Sequence, residues 1–319
     1  MMGVRPLLER ILSSVSNSQS SDVVYAHEHA HEPSSVVAAR AGEVTRGGVQ
    51  PSRKRSWTSM IAAYPATSIL MGINLLVFAL MFRYSPAIPL WKAHQYGQIL
   101  TAEFDLPTLW LFGGFNNSMI VTGQGWRLVT ACFVHASILH IAVNLWCLWN
   151  LGLFGEPLLG RWGLAWVYLL TGVTGNLLSV GWALFTKTDA TVVGASGAIF
   201  GIAGILIVLL SNRKLAVPWD ELKSLRRQVI LFAAINLALG VAPNFAGTIP
   251  ARLHVNPDSL PHIANGAHLG GLVSGLALGL PLFPKMTTGR ANYRARQRVT
   301  FAVAAFLLVL ISYAMMNHR

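Results

Sequence analysis

Seven stretches of this chain contain no Asp, Glu, Lys or Arg: 56–82, 128–155, 162–186, 190–212, 228–251, 259–284 and 299–318. A helix needs about 20 mostly apolar residues to cross the hydrocarbon core of a bilayer. Inside that core every backbone N–H and C=O must find its partner within the protein. Each stretch is long enough for this. Each is also a solid apolar block, unlike the alternating ten-residue segments of a membrane barrel. The pattern predicts an all-α polytopic membrane protein with seven transmembrane helices. Composition agrees, since 53% of residues are hydrophobic and 11% charged, where soluble domains carry roughly 25% charged residues. A disordered chain, a coiled coil and most soluble enzymes are excluded. A further charge-free stretch, 106–126, holds Pro107, Gly113, Gly114, Asn116, Asn117, Gly123 and Gly125. Turn formers at that density mark it as part of a long connection between the first and second spans.

The net charge is +12. A basic balance can signal nucleic-acid binding, but here the Lys and Arg concentrate in alternate loops, near 53–55, 161, 213–227 and 285–298. That bias sets orientation and predicts a cytoplasmic N-terminus. The loop 213–227 reads as a solvated cytoplasmic link. Residues 1–57 read as a cytoplasmic tail without a core of their own. They lack the apolar segment of a signal peptide, and Glu9, Asp22, Glu28, Glu32 and Glu43 argue against a transit peptide. The plasma membrane of a bacterium is therefore the expected location. His27, His29 and His31 read as part of the solvated tail, not a metal tract. Cys132 and Cys147, with no CxxC spacing, read as small apolar fillers. Trp146, Trp149, Trp162 and Trp166 fit core packing and interfacial belts.

Polar groups inside a span are functional candidates. The second window holds His135, His140 and Asn144. The fourth opens with Gly194-Ala195-Ser196-Gly197, and the sixth contains Gly266-Ala267-His268. These three windows run in the same direction, which brings Ser196, His268, His140 and Asn144 to roughly one depth. His140 and Asn144, spaced i and i+4, share a helix face. A serine hydroxyl needs a base before it is a useful nucleophile, and histidine is the usual base. Ser196 and His268 fit those roles. The Ser196 N–H, unpaired in the first helical turn, together with His140 and Asn144, could receive a developing oxyanion. Windows two, four and six hold no carboxylate, which leaves a Ser–His dyad. Gly271 and Gly275 belong to a small-xxx-small stripe that lets backbones approach. For Asn74, Asn176 and Asn236, hydrogen bonds between helices are the expected role.

At these residues the sequence resembles the rhomboid family of intramembrane serine proteases. Gly194-Ala195-Ser196-Gly197 looks like the family's GxSG motif. Ala267-His268-x-x-Gly271-x-x-x-Gly275 looks like its AHxxGxxxG motif, and His140-x-x-x-Asn144 its HxxxN motif. Trp126-Arg127 looks like the Trp-Arg pair of its first loop. Glu156 and Gly160 match an ExxxG signature, His135 a recurrent histidine, and Phe200 an aromatic that packs on the histidine base. The resemblance implies a six-helix protease domain over 58–285, with 286–319 as a basic linker and an extra C-terminal helix. It implies Ser196 as nucleophile, His268 as general base, an oxyanion site from Ser196 N–H, His140 and Asn144, and no cofactor or metal. The implied substrates are transmembrane segments of single-pass proteins within the lipid bilayer, and nucleic acid has no part. Alternatives are a non-catalytic rhomboid-like protein that binds transmembrane clients, and a transporter or channel. Inactive relatives tend to lack the Ser or the His, and a transporter would show internal repeats, which are not seen here.

Overall fold

A computed structural model describes residues 61–85, 100–188, 191–215, 217–245, 265–286 and 288–317. The first long helix is α1, Pro65–Tyr84. The connection after it carries three short helices, α2 (Leu106–Leu111), α3 (Asn117–Val121) and α4 (Arg127–Thr130), and a 3-10 turn at Ala131–Phe133. Then come α5 (Ile138–Thr186), α6 (Ser196–Leu209), α7 (Trp219–Phe245), α8 (Asn265–Leu282) and α9 (Arg290–Asn317). Gly160, with φ 74° and ψ 163°, divides the 49-residue α5 into two arms just after Pro157. Among the described residues β-structure is limited to one isolated bridge, Phe115–Val192. The chain is an all-α polytopic membrane protein. Of the helices, α1, α5 and α9 are long and apolar enough by themselves to cross a membrane.

Helix boundaries depart from the charge-free windows where capping and turn chemistry, not charge, decide them. The second window opens at 128, but α5 begins at Ile138, because Ser137 is its N-cap and its Oγ accepts from His140 N–H. Residues 128–133 belong to the loop. The stretch 213–227 is only partly a link, since α7 begins at Trp219 with Asp220 and Glu221 in its first turn, where acidic side chains suit the helix dipole. Asn74 reaches Tyr168 Oη (3.2 Å) and Asn176 reaches the Leu128 carbonyl (2.8 Å), so both tie separate elements together. Asn236 does not. Its amide donates to the Phe232 carbonyl one turn back in its own helix, the local bond that competes with longer-range partners. Cys132 and Cys147 are free and buried. Trp146, Trp162 and Trp166 are exposed on the bundle surface, as an interfacial role requires. The histidines of the tail, together with His254 and His262, lie outside the described residues.

The centre of the bundle is α6. Gly197 to Leu206 are buried without a break, so this helix meets neighbours on every side. Its closest is α8. A Cβ on Gly271 would collide with the Gly197 carbonyl oxygen, and one on Gly275 with the Gly201 carbonyl oxygen. On the other flank a Cβ on Gly201 would collide with the Thr171 hydroxyl of α5. The glycines thus allow backbone to pack on backbone, and the contact works through dispersion and close fit instead of side-chain burial.

A second constraint sits at the opposite end of α6 from Ser196. Tyr64, the N-cap of α1, makes no side-chain cap, and Pro65 follows it at the first helical position. The orphan N–H groups of the first turn are instead served from α5. Glu156, buried, accepts from Ala66 N–H (2.9 Å), Thr67 N–H (2.9 Å) and the Thr67 hydroxyl (2.7 Å). A carboxylate at a helix N-terminus also answers the dipole. Removing it orphans two buried N–H groups, each costing about 1–3 kcal/mol. Glu156→Ala is expected to lower unfolding stability by about 3 kcal/mol, and Glu156→Gln by less. Thermal unfolding in detergent micelles checks this.

Candidate active site

Helix α6 has 14 residues, about 21 Å at 1.5 Å per residue, shorter than the roughly 30 Å hydrocarbon core. Its first residue is Ser196. Ser196 Oγ lies 2.7 Å from His268 Nε2. The serine is partly accessible and the histidine buried. With Oγ–H donating to Nε2, a neutral His268 carries its proton on Nδ1. Among the described residues Nδ1 has no hydrogen-bond partner, so no carboxylate orients the ring. Phe200, one turn after Ser196, stacks on it with centroids 4.4 Å apart and planes at 17°.

The turn before Ser196 is shaped by Gly194, whose φ of 118° is a conformation that side-chain-bearing residues avoid. A Cβ there would lie 2.8 Å from His140 Nε2 and 3.8 Å from Ser196 Oγ. Both groups therefore crowd the same face of this glycine. His140 Nδ1 accepts weakly from Ala136 N–H (3.4 Å), leaving the proton of the neutral ring on Nε2, on the site side. Asn144 is buried and its amide donates to the His140 carbonyl (2.8 Å), one of two N–H donors it carries. Gly197 faces Ala267, where a Cβ would come 3.2 Å from the carbonyl oxygen.

The loop holds this turn from outside. Gly194 N–H donates to the Ala131 carbonyl (2.9 Å), and Phe115 and Val192 exchange two backbone hydrogen bonds. Second-arm residues of α5 hold the same strand of loop: Tyr168 donates to the Cys132 carbonyl (2.8 Å) and Asn176 to the Leu128 carbonyl. His135, fully buried, accepts from Ala195 N–H at 3.5 Å and sits edge-on to His140. Trp126 and Arg127 lie in the loop itself. Arg127 donates to the carbonyls of Trp110 and Gly114 and to Gln124, and stacks over Trp126 at 4.4 Å. The pair organises the loop and is not among the hydrogen-bond partners of Ser196. Tyr168 escaped sequence reasoning, because a tyrosine in an apolar window reads as packing until its hydroxyl partner is known.

A family model described as the rhomboid domain matches residues 122–285. The chain belongs to the rhomboid family. It is 36% identical over 179 residues to the rhomboid protease GluP of Bacillus subtilis, covering 54% of this chain and 30% of that protein. It is 32% identical over 221 residues to RHOMBOID-like protein 6, mitochondrial, of Arabidopsis thaliana, covering 63% of each. The inactive rhomboid protein 1 of Rattus norvegicus is 35% identical over 193 residues, covering 60% of this chain and 20% of that protein. The chain spans less than two thirds of the length of these curated relatives.

The glycine contacts make a direct prediction. Gly271→Ala places a methyl group against the Gly197 carbonyl and is expected to cost about 1–3 kcal/mol as overpacking. Gly72→Ala, where a Cβ meets nothing within 4 Å, is expected to be neutral or stabilising in a helix interior. Paired thermal melts of the two variants check the difference.

Proposed function

We propose that this rhomboid is an active intramembrane serine endopeptidase that cleaves transmembrane segments of single-pass membrane proteins. The observation that supports it best is the 2.7 Å contact between Ser196 Oγ and Nε2 of the buried His268, whose ring stacks on Phe200. In this reading His268 Nε2 takes the Ser196 proton as Oγ bonds to the scissile carbonyl carbon. The carbonyl oxygen gains the negative charge and is received by Ser196 N–H, His140 Nε2–H and the free N–H of Asn144. His268 then gives its proton to the leaving nitrogen, the C–N bond breaks, and an acyl-enzyme remains. Water, deprotonated by His268, releases it. The substrate helix must unwind locally, because its carbonyls are otherwise hydrogen-bonded and shielded.

The same reading assigns 58–285 to the protease domain, 1–57 to a cytoplasmic tail and 286–319 to an accessory segment. The Lys and Arg distribution supports a cytoplasmic N-terminus, and a bacterial plasma membrane fits that orientation. Its partners are membrane protein substrates and the bilayer. The second reading, a client-binding protein without catalysis, draws on the similarity to a relative named as inactive. Here both Ser196 and His268 are present and in contact, which favours catalysis.

A fluorophosphonate probe and a single-pass model substrate in liposomes separate the two readings. Wild-type protein is expected to label and to cleave, and Ser196→Ala to do neither while staying folded, a loss of about 10³-fold or more. A folded wild type that binds the substrate but never labels would establish the client-binding reading. Phe200→Ala is expected to lower kcat by about tenfold to a hundredfold through misplacement of the ring, with KM nearly unchanged. Phe200→Tyr keeps the stack and is expected to restore most of the rate.

A further inference from the structure

Helix α9 lies outside the residues that match the family model, which end at 285. None of the described hydrogen bonds of Ser196, His268, His140 or Asn144 reaches it. Yet it is fastened at both ends. Near its start, the buried Gln297 donates from Nε2 to the Leu159 carbonyl (3.0 Å). Leu159 ends the first arm of α5, immediately before the Gly160 break, so its carbonyl is one of those a helix end leaves unpaired. Gly163 makes room for the amide, since a Cβ there would come 3.1 Å from Gln297 Nε2. One turn on, Phe301 is buried in the main core. Further along, Leu308 and Met315 pack on a cluster that joins Phe115, Ile120, Leu128, Ala131 and Val192 to Leu177 and Val180 of α5. Met316 comes last: its Sδ lies 3.0 Å from where a Cβ of Gly125 would sit, next to Trp126-Arg127.

Gln297 and Met316 are nineteen residues apart, about 28 Å along a helix and close to the thickness of the hydrocarbon core. The polar anchor therefore fixes the height at which the far end meets the loop. That loop is the one whose Ala131 carbonyl holds Gly194, and whose Phe115 pairs with Val192. We infer that α9 is a strut that sets the position of the loop, so that turnover at Ser196 depends on Gln297 and on the Met316–Gly125 contact. The inference rests on the protease reading for its kinetic consequence.

The test uses the full chain well below its unfolding temperature. Gln297→Ala is expected to slow fluorophosphonate labelling of Ser196 by about tenfold or more and to lower kcat with KM little changed. Gly125→Cys with Met316→Cys is expected to be bridged by a short thiol-reactive cross-linker, Cys132 and Cys147 being buried, and bridging this pair is expected to restore the rate in the Gln297→Ala background. Labelling of Gln297→Ala at the wild-type rate, with only a lowered melting point, would reduce the anchor to a structural role and overturn the inference. So would failure of the cysteine pair to cross-link in an otherwise native chain. Failure of the protease reading looks different: wild-type protein does not label at all, although the cross-link forms.

Discussion

Everything at the candidate site depends on two helix backbones touching. A serine on α6 and a histidine on α8 reach 2.7 Å only if the axes come closer than ordinary side chains allow, since packed helices usually lie 8–10 Å apart. Gly271 and Gly275 on α8 meet the carbonyls of Gly197 and Gly201 on α6. Lipid is as apolar as leucine, so burial of hydrophobic side chains gives little drive for association here. What remains is van der Waals contact, and glycine maximises it. The glycine stripe is thus both the cause of the helix pairing and the source of the short Ser–His distance.

A second junction lies at the corner between the two arms of α5. Within five residues, Glu156 serves the unpaired N–H groups of α1, and Leu159 offers its unpaired carbonyl to Gln297 of α9. Both bonds solve the same problem. A helix end buried against its neighbours cannot rely on water for its orphan groups. Partners must come from neighbouring helices, and each such bond locks two elements in register. Two peripheral helices are pinned to one corner, while α6 and α8 form the centre.

Much of this was legible in the sequence, and the physical reason is that lipid tolerates so few compositions. Each long helix among the described residues overlaps one or two of the charge-free windows. Ser196, His268, His140 and Asn144 stood out because polar groups at membrane depth need a reason to be there. Other features were hidden. The start of α5 at Ile138 is set by a serine cap, which charge counting does not register. The beginning of α7 lies among charged residues that looked like a loop. Gln297 sat in a basic segment, where a glutamine attracts no notice, and only the break at Gly160 reveals a carbonyl that needs it. Asn236 resembled Asn74 and Asn176 in sequence, but its partner is in its own helix. Choice of partner is a tertiary property, and one-dimensional patterns do not carry it.

The absence of a carboxylate beside His268, among the described residues, follows from the same environment. In a soluble Ser–His–Asp site the acid fixes the tautomer and orientation of the ring. In a bundle this apolar, an additional buried charge carries a desolvation cost that only further hydrogen bonds could offset. Here both tasks fall to neutral groups. In the proposed mechanism the Ser196 hydroxyl donates to Nε2, which selects the tautomer protonated on Nδ1. The face of Phe200, 4.4 Å from the ring, restricts its rotation. A stacked aromatic supplies orientation through contact area, which lipid does not weaken. In the proposed reaction His268 becomes charged only transiently, and the developing oxyanion next to it provides the compensating charge when it is needed.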